Sequence, residues 1–199
     1  YEGHETIDPV HWRWKIGALR ALLERYGDAQ KPIWQTERAI AGVRGDDWLG
    51  ATQAVRMGLH RDLLETLGIR PEHNNHFYTN DHGFGDFPSW IWSHTGPHPA
   101  VFALRLRHAL TVGRAYQGAL DFGPIGERLL LGLRYAGADG GTIALRNLGS
   151  LDLPLELDAT GESVEVVDAF GNRSQIPVKA GKVAVVAKQM STYLLLAKG

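Results

Sequence analysis

Apolar residues recur at helical spacing through the first 118 residues, interrupted by short apolar runs, and from residue 119 the spacing shortens to two. Asp8-Pro9 reads as an N-cap followed by proline in the first turn. Trp12, Ile16, Leu19, Leu23 and Tyr26 then follow at helical steps, which predicts one helix face over about residues 10–26. Gly27 suits the left-handed position that ends such a helix. Lys31-Pro32-Ile33-Trp34-Gln35-Thr36-Glu37 is a short apolar run closing on a carboxylate. Its proline is tolerable because it stands near the start of a strand. Asp46 or Asp47 caps a second helix with Ala51, Val55, Leu59, Leu63 and Leu67 on its stripe and Gly68 at its end. Residues 73–81 are polar, with Phe77 and Tyr78 as their apolar bulk. They read as a strand whose end faces a cavity, since a buried parallel strand is a continuous apolar run. Residues 82–97 form a long loop carrying Phe84, Phe87, Trp90 and Trp92, and loops of that length are often functional. Pro99 opens a third helix, whose face carries Phe102, Leu106, Ala109 and Tyr116. Helix and strand alternate, as in a parallel α/β sheet.

The remainder is all strand and turn. Residues 129–135 and 142–148 flank the turn Ala138-Asp139-Gly140-Gly141. Residues 151–157 and 163–166 alternate apolar and polar, Gly171-Asn172 is a hairpin dipeptide, and 182–186 and 192–197 supply two more strands. About seven short strands with regular turn signals predict an antiparallel sandwich or small barrel. All six tryptophans precede residue 93, and neither Trp nor His occurs from 119 onward. That shift places a domain boundary between residues 118 and 119. Glu156, Glu162, Glu165 and Asp168 read as a solvated sheet face.

Charge and composition narrow the function. With 21 basic against 22 acidic residues the formal net charge is −1, which argues against a nucleic-acid partner. No apolar run approaches the length of a membrane span. There is no cysteine, so disulfides, thiolate catalysis and thiolate metal sites are excluded. The opening Tyr1-Glu2-Gly3-His4-Glu5 has neither an initiator Met nor the basic and apolar regions of a signal peptide, so the chain is expected to be an excised or processed piece.

Residues 31–37 resemble the seventh barrel strand of retaining glycoside hydrolases of clan A, a strand of the form K-P-[IV]-[WY]-x-[TS]-E that ends in the nucleophilic Glu. The helix before it and the aromatic pair Phe77-Tyr78 after it fit the sixth helix and eighth strand. Gly96-Pro97-His98-Pro99-Ala100, with Arg105 and Arg107, resembles the start of the final barrel helix. Residues 164–172 and Tyr193-Leu194 are similar to phrases of the β-sandwich that often follows such barrels. The resemblance therefore implies the last two βα units of a (β/α)8 barrel at residues 1–118, followed by an antiparallel β-sandwich at 119–199. A whole barrel takes about 250 residues, so most of it would lie outside this chain.

By the same resemblance Glu37 is the nucleophile. Its bland alternative is a structural carboxylate paired with Arg38 or Arg44. Retaining hydrolysis needs a second carboxyl about 5–5.5 Å away as general acid/base. The family supplies it from an Asn-Glu pair, and no Asn-Glu occurs here. Asp81, Asp86, Glu2, Glu5 and Asp8 have no motif for that role, so the acid/base is expected from a complementary N-terminal barrel segment or an oligomeric partner. An open quarter barrel would leave an exposed sheet edge, and the α/β portion is expected to be stable only when complemented. Carbohydrate is the expected substrate. Trp34, Tyr78, Trp90 and Trp92, with Phe77, offer flat faces for pyranose rings, and His76 and His4 offer hydrogen bonds at the rim. Each tryptophan could equally be core or interdomain packing, and Trp12 on its helix face reads as core. His73, His76, His82, His94 and His98 with Asp81 lack metal-ligand spacing, so no metal or other cofactor is expected. The rival reading is a non-catalytic carbohydrate-binding or structural β-sandwich module with a residual α/β segment.

Overall fold

The computed structural model describes residues 9–36, 49–70, 92–93, 96–97, 99–123, 129–149 and 151–197. They fall into two compact units, Tyr1–His98 and Pro99–Gly199.

In the first unit the sequence dictates two helices, α1 (Pro9–Arg25) and α2 (Leu49–Thr66). Both end in the same way. Asp28 N–H donates to the Leu23 carbonyl at 2.7 Å and Gly27 N–H to Glu24 at 3.0 Å. Likewise Ile69 N–H donates to Leu64 at 2.9 Å and Gly68 N–H to Glu65 at 3.1 Å. These are Schellman closures, in which the residue after the helix turns left-handed. Gly27 and Gly68 both have φ near 77°. Ile69 and Leu64 also supply the apolar contact of that motif, within a buried cluster with Ile16 and Ile33. Trp12, Leu23 and Leu67 pack at its margin. The expected face of α1 is therefore narrower than its periodicity indicates. Leu19 and Tyr26 are exposed, as are Trp14 and Leu22. What packs on α1 among the described residues covers only the side bearing Trp12, Ile16 and Leu23. Residues 31–36 carry one bridge residue, Gln35, and no longer strand. The strand expected at 73–81 lies outside the described residues. From the loop expected at 82–97, only β1 (Trp92–Ser93) and β2 (Gly96–Pro97) are described, as an antiparallel pair.

The second unit opens with α3 (Pro99–Thr111). Gly113, at φ 73°, closes it, and the chain enters β3 (Ala115–Ala119). This corrects the expectation that Tyr116 continues the helix face. Tyr116 instead lies opposite Tyr135 across two strands, with ring centroids 5.7 Å apart. The helix is held on the sheet by Arg107 Nη2, which donates to the Tyr135 hydroxyl at 3.1 Å, and by Thr142 Oγ1, which donates to the Leu110 carbonyl at 3.0 Å.

Then come β4 (Leu130–Gly137), β5 (Gly140–Asn147), β6 (Leu153–Asp158), β7 (Ser163–Val167), β8 (Arg173–Pro177), β9 (Lys182–Ala187) and β10 (Thr192–Leu196). They form a six-stranded sheet, β3-β4-β5-β10-β7-β8, and a two-stranded sheet, β6-β9, with every pairing antiparallel. Strand alternation puts Ile143, Leu145, Val164 and Leu194 of the large sheet against Val183 and Val185 of the small one in a single buried cluster. Leu155 and Leu157 of β6 close its edge. The tight turn between β4 and β5 needs Gly140, at φ 132°, because a Cβ there would collide with the Leu196 carbonyl.

Between β7 and β8 the chain is tied by Asp168. Its Oδ1 accepts from Phe170 N–H at 2.9 Å and Asn172 N–H at 3.0 Å, and its Oδ2 accepts from Asn172 Nδ2 at 2.8 Å. Partial burial pushes this carboxyl upward, but the bonds from the Asn172 side chain and the turn amides outweigh it and hold the pKa below 3.8. Asp168→Ala is expected to cost about 1 kcal/mol in a urea melt at neutral pH. Because the folded pKa is depressed, the carboxylate's contribution is complete above 3.8 and is lost as pH falls through the lower folded value. The difference between variant and parent should therefore shrink in melts taken at progressively more acid pH.

Candidate functional site

The candidate site is built on residues 31–36, which lead to Glu37. Ile33 is buried against Ile16 of α1, Leu64 of α2 and Ile69. Neighbouring residues in extended chain point to opposite sides, and Trp34 accordingly is 54% exposed. The start of the segment is fixed by α1. Arg20 Nη1 donates to the Lys31 carbonyl at 3.3 Å, and its Nη2 donates to the Gly68 carbonyl at 3.2 Å. One guanidinium thus ties the helix to the beginning of the segment and to the end of α2. An exposed ion pair, Lys31 Nζ to Asp28 at 3.0 Å, adds little, as such pairs do. Gln35 Oε1 is buried with no hydrogen-bond partner among the described residues.

Of the expected site residues, Trp34 is described in full, and Trp92 through its backbone, opposite Pro97. Glu37, His76, Tyr78 and Trp90 lie outside the described residues, as do Phe77, His4 and the other carboxylates weighed for the acid/base role. Trp12 is half-buried and meets the His60 ring edge-on at 5.0 Å, with Lys15 Nζ 5.6 Å over its own ring.

Sequence reading passed over a set of buried polar groups on α2: His60 and Asp62 are almost completely buried, and Glu65 is 8% exposed. The signal was present, because His60 and Glu65 stand within a helix otherwise read for its apolar stripe. Among the described residues no three His, Asp or Glu side chains group closely enough to hold a metal ion. No described helix is long and apolar enough to cross a membrane.

No family model and no curated protein matches the sequence. Solved structures do match the fold. A family 39 glycoside hydrolase from the gut symbiont Bacteroides cellulosilyticus WH2 aligns at TM-score 0.71 and 14% identity, over 91% of this chain and 37% of that one. A family 30 endoxylanase from Clostridium papyrosolvens C71 aligns at 0.58 and 12% identity, over 89% of this chain and 45% of that one. A glucosidase from Croceicoccus marinus aligns at 0.59 and 16% identity, over 96% of this chain and 51% of that one. The chain has the fold of the part of these glycoside hydrolases that it covers, and it spans about half of their length or less.

The geometry around residues 31–36 gives a direct test. Ile33→Ala is expected to lower the stability of the first unit by about 2–5 kcal/mol. Arg20→Met should cost about 1 kcal/mol through the two lost carbonyl bonds. Tryptophan fluorescence during denaturant unfolding measures both, since every tryptophan lies in that unit.

Proposed function

We propose that this chain is the C-terminal portion of a retaining glycoside hydrolase, with Glu37 as its nucleophile. The observation that carries the reading is the likeness of fold to glycoside hydrolases over 91% of the chain, which coincides with a segment of the nucleophile-strand form at residues 31–37. In this reading the chain through α3 holds the last two βα units of a (β/α)8 barrel, and the antiparallel sheets from β3 onward, a few residues before the expected boundary at 118/119, are its β-sandwich. The acid/base Glu comes from barrel sequence outside these residues. The exposed Trp14 and Leu22 of α1, with Tyr26 just past its end, support it, because a helix apolar on two sides suits a second neighbour.

The chemistry follows from two carboxyl groups about 5–5.5 Å apart. Glu37 attacks the anomeric carbon as the glycosidic bond breaks, and the protonated partner carboxyl delivers its proton to the departing oxygen. A water then attacks the same carbon, giving its proton to that partner, and Glu37 leaves as carboxylate. Trp34 and Trp92, with Tyr78 and Trp90, stack on the sugar rings, and His76 bonds to their hydroxyls. Residues 1–199 alone carry the nucleophile without its acid/base and are inactive.

A mechanism-based fluoroglycoside, which forms the glycosyl-enzyme and hydrolyses slowly, tests this in the complemented enzyme. Peptide mapping should find the sugar on Glu37, and Glu37→Gln should lower kcat by at least about a thousandfold. Label on another residue, or none while the enzyme turns over substrate, would favour a non-catalytic carbohydrate-binding module.

A further inference from the structure

Arg20 is half-buried on α1, and its two terminal nitrogens bond to two separate stretches of backbone. Nη1 donates to the Lys31 carbonyl at 3.3 Å, where the segment leading to Glu37 begins. Nη2 donates to the Gly68 carbonyl at 3.2 Å, in the turn that closes α2. Gly68 is followed at once by Ile69, which shares a buried cluster with Ile33. The chain then runs toward residues 73–81, read from the sequence as the second strand of the site. The close approach depends on glycine. A Cβ at residue 68 would lie 3.2 Å from Arg20 Nη2, and the φ of 77° there is the left-handed conformation that favours glycine.

Apolar packing and these two bonds fix different things. Contact of Ile33 with Ile16, Leu64 and Ile69 keeps the segment against the two helices. Burial is non-directional and scales with area, so it resists separation and tolerates sliding along the segment's own axis. A hydrogen bond weakens steeply as its distance and angle change, so the two carbonyl bonds oppose that sliding. The guanidinium is planar and holds its two donors at a fixed spacing. One side chain on a regular helix therefore sets where two chain segments begin relative to each other. Extended chain rises about 3.3 Å per residue, so a displacement at Lys31 is carried along the segment to its carboxylate end, about 20 Å away.

We infer that Arg20 is a positioning residue for the proposed reaction. It sets the axial position of the segment that ends in Glu37 against the segment that begins after Gly68. This assignment rests on the reading of Glu37 as nucleophile, and adds to it a side chain that acts from the opposite end of the segment. Misplacement of a reacting group by 1 Å can cost about a hundredfold in rate, so slack of a fraction of an ångström at Glu37 should be visible in turnover.

Turnover per competent site tests the inference in the intact enzyme. A mechanism-based fluoroglycoside counts the sites able to form the glycosyl-enzyme, and kcat is divided by that count. If Arg20 only stabilises the first unit, Arg20→Met lowers the count and leaves kcat per site at the parent's value. If Arg20 positions Glu37, Arg20→Met should lower kcat per site, and the rate at which label forms on Glu37, at least about tenfold, with KM changed less than about threefold. Arg20→Lys keeps the stem and one nitrogen in place of two. It should recover part of the loss, and it serves if the methionine variant does not fold. Parent-like kcat per site in every variant that folds overturns the inference, as does a raised KM with kcat per site unchanged. The two readings fail differently: label on Glu37 with unchanged kcat per site sinks the positioning role alone, and label on another residue sinks the nucleophile and the positioning role together.

Discussion

The contact between the inner faces of the two sheets is what the second unit depends on. Ile143, Leu145, Val164 and Leu194 can be buried only if something covers the large sheet, and Val183 and Val185 of β9 are that cover. Everything else follows from the period of two along each strand. Once Leu194 points inward, Tyr193 points to the other face, where Tyr135 is also buried and meets the buried Arg107 of α3. The helix is thus the second lid of a sheet that is apolar on both sides. This explains why β5 has an unbroken run of buried residues, Thr142 to Asn147, where a half-solvated strand would alternate. Two of those residues are polar ends that the fold satisfies: Arg146 donates to the Gln189 carbonyl and the Ser191 hydroxyl, and Asn147 donates to the Leu151 carbonyl.

In the first unit the described residues include one such cluster, and Ala54, Met57 and Leu63 of α2 are buried as well. Four buried aliphatic side chains, Ile16, Ile33, Leu64 and Ile69, hold two helices and one extended segment together. At about 1.5–3 kcal/mol for each fully buried side chain, such a cluster offsets the ordering of only a handful of residues. The Schellman closures and the Arg20 tie are local devices that fix direction and contribute modestly to stability. A catalytic carboxylate must be held to within a fraction of an ångström of its productive position. The described packing around Ile33 fixes the beginning of the segment that leads to Glu37, and on the proposed reading the remaining constraint has to come from neighbouring strands of the barrel.

Much of the fold was readable from the sequence wherever the determining physics is local. Gly27 and Gly68 marked the helix ends because only glycine takes φ near 77° without strain. The Ala138-Asp139 turn and the hairpin at Gly171-Asn172 were readable for similar reasons. Tyr116 was assigned to the wrong element because Phe102, Leu106, Ala109 and Tyr116 continue a helical stripe on paper. The break at Gly113 is followed by a short edge strand too brief to show a period of its own. Leu19 and Tyr26 were expected to be inside because periodicity reports which residues share a face and is silent on how much of that face finds a cover. The buried His60, Asp62 and Glu65 escaped for the complementary reason, since polar residues on a helix are read as solvated unless the sequence names what packs on them.

The candidate site shows the same division between local and nonlocal determinants. Glu37 stood out because a short motif carries it, and Trp34 because it alternates with Ile33 across an extended segment. A groove of about 450 Å3 between β9 and the β7–β8 hairpin left no such mark. It exists because six strands face two, a property of strand count and pairing that no window of sequence contains. The charged residues around it, Asp168 and Arg173 among them, look like solvated turn residues until β9 is seen to run past them. Among the described residues α1 exposes Trp14, Leu19 and Leu22, and no strand pairs with the edge of β9 away from β6. A freestanding domain under selection for solubility would blunt an open edge with charge or proline. Along β9 and its end, Lys182 and Lys188 flank Ala184 and Val186, so charge stands at both ends of that edge.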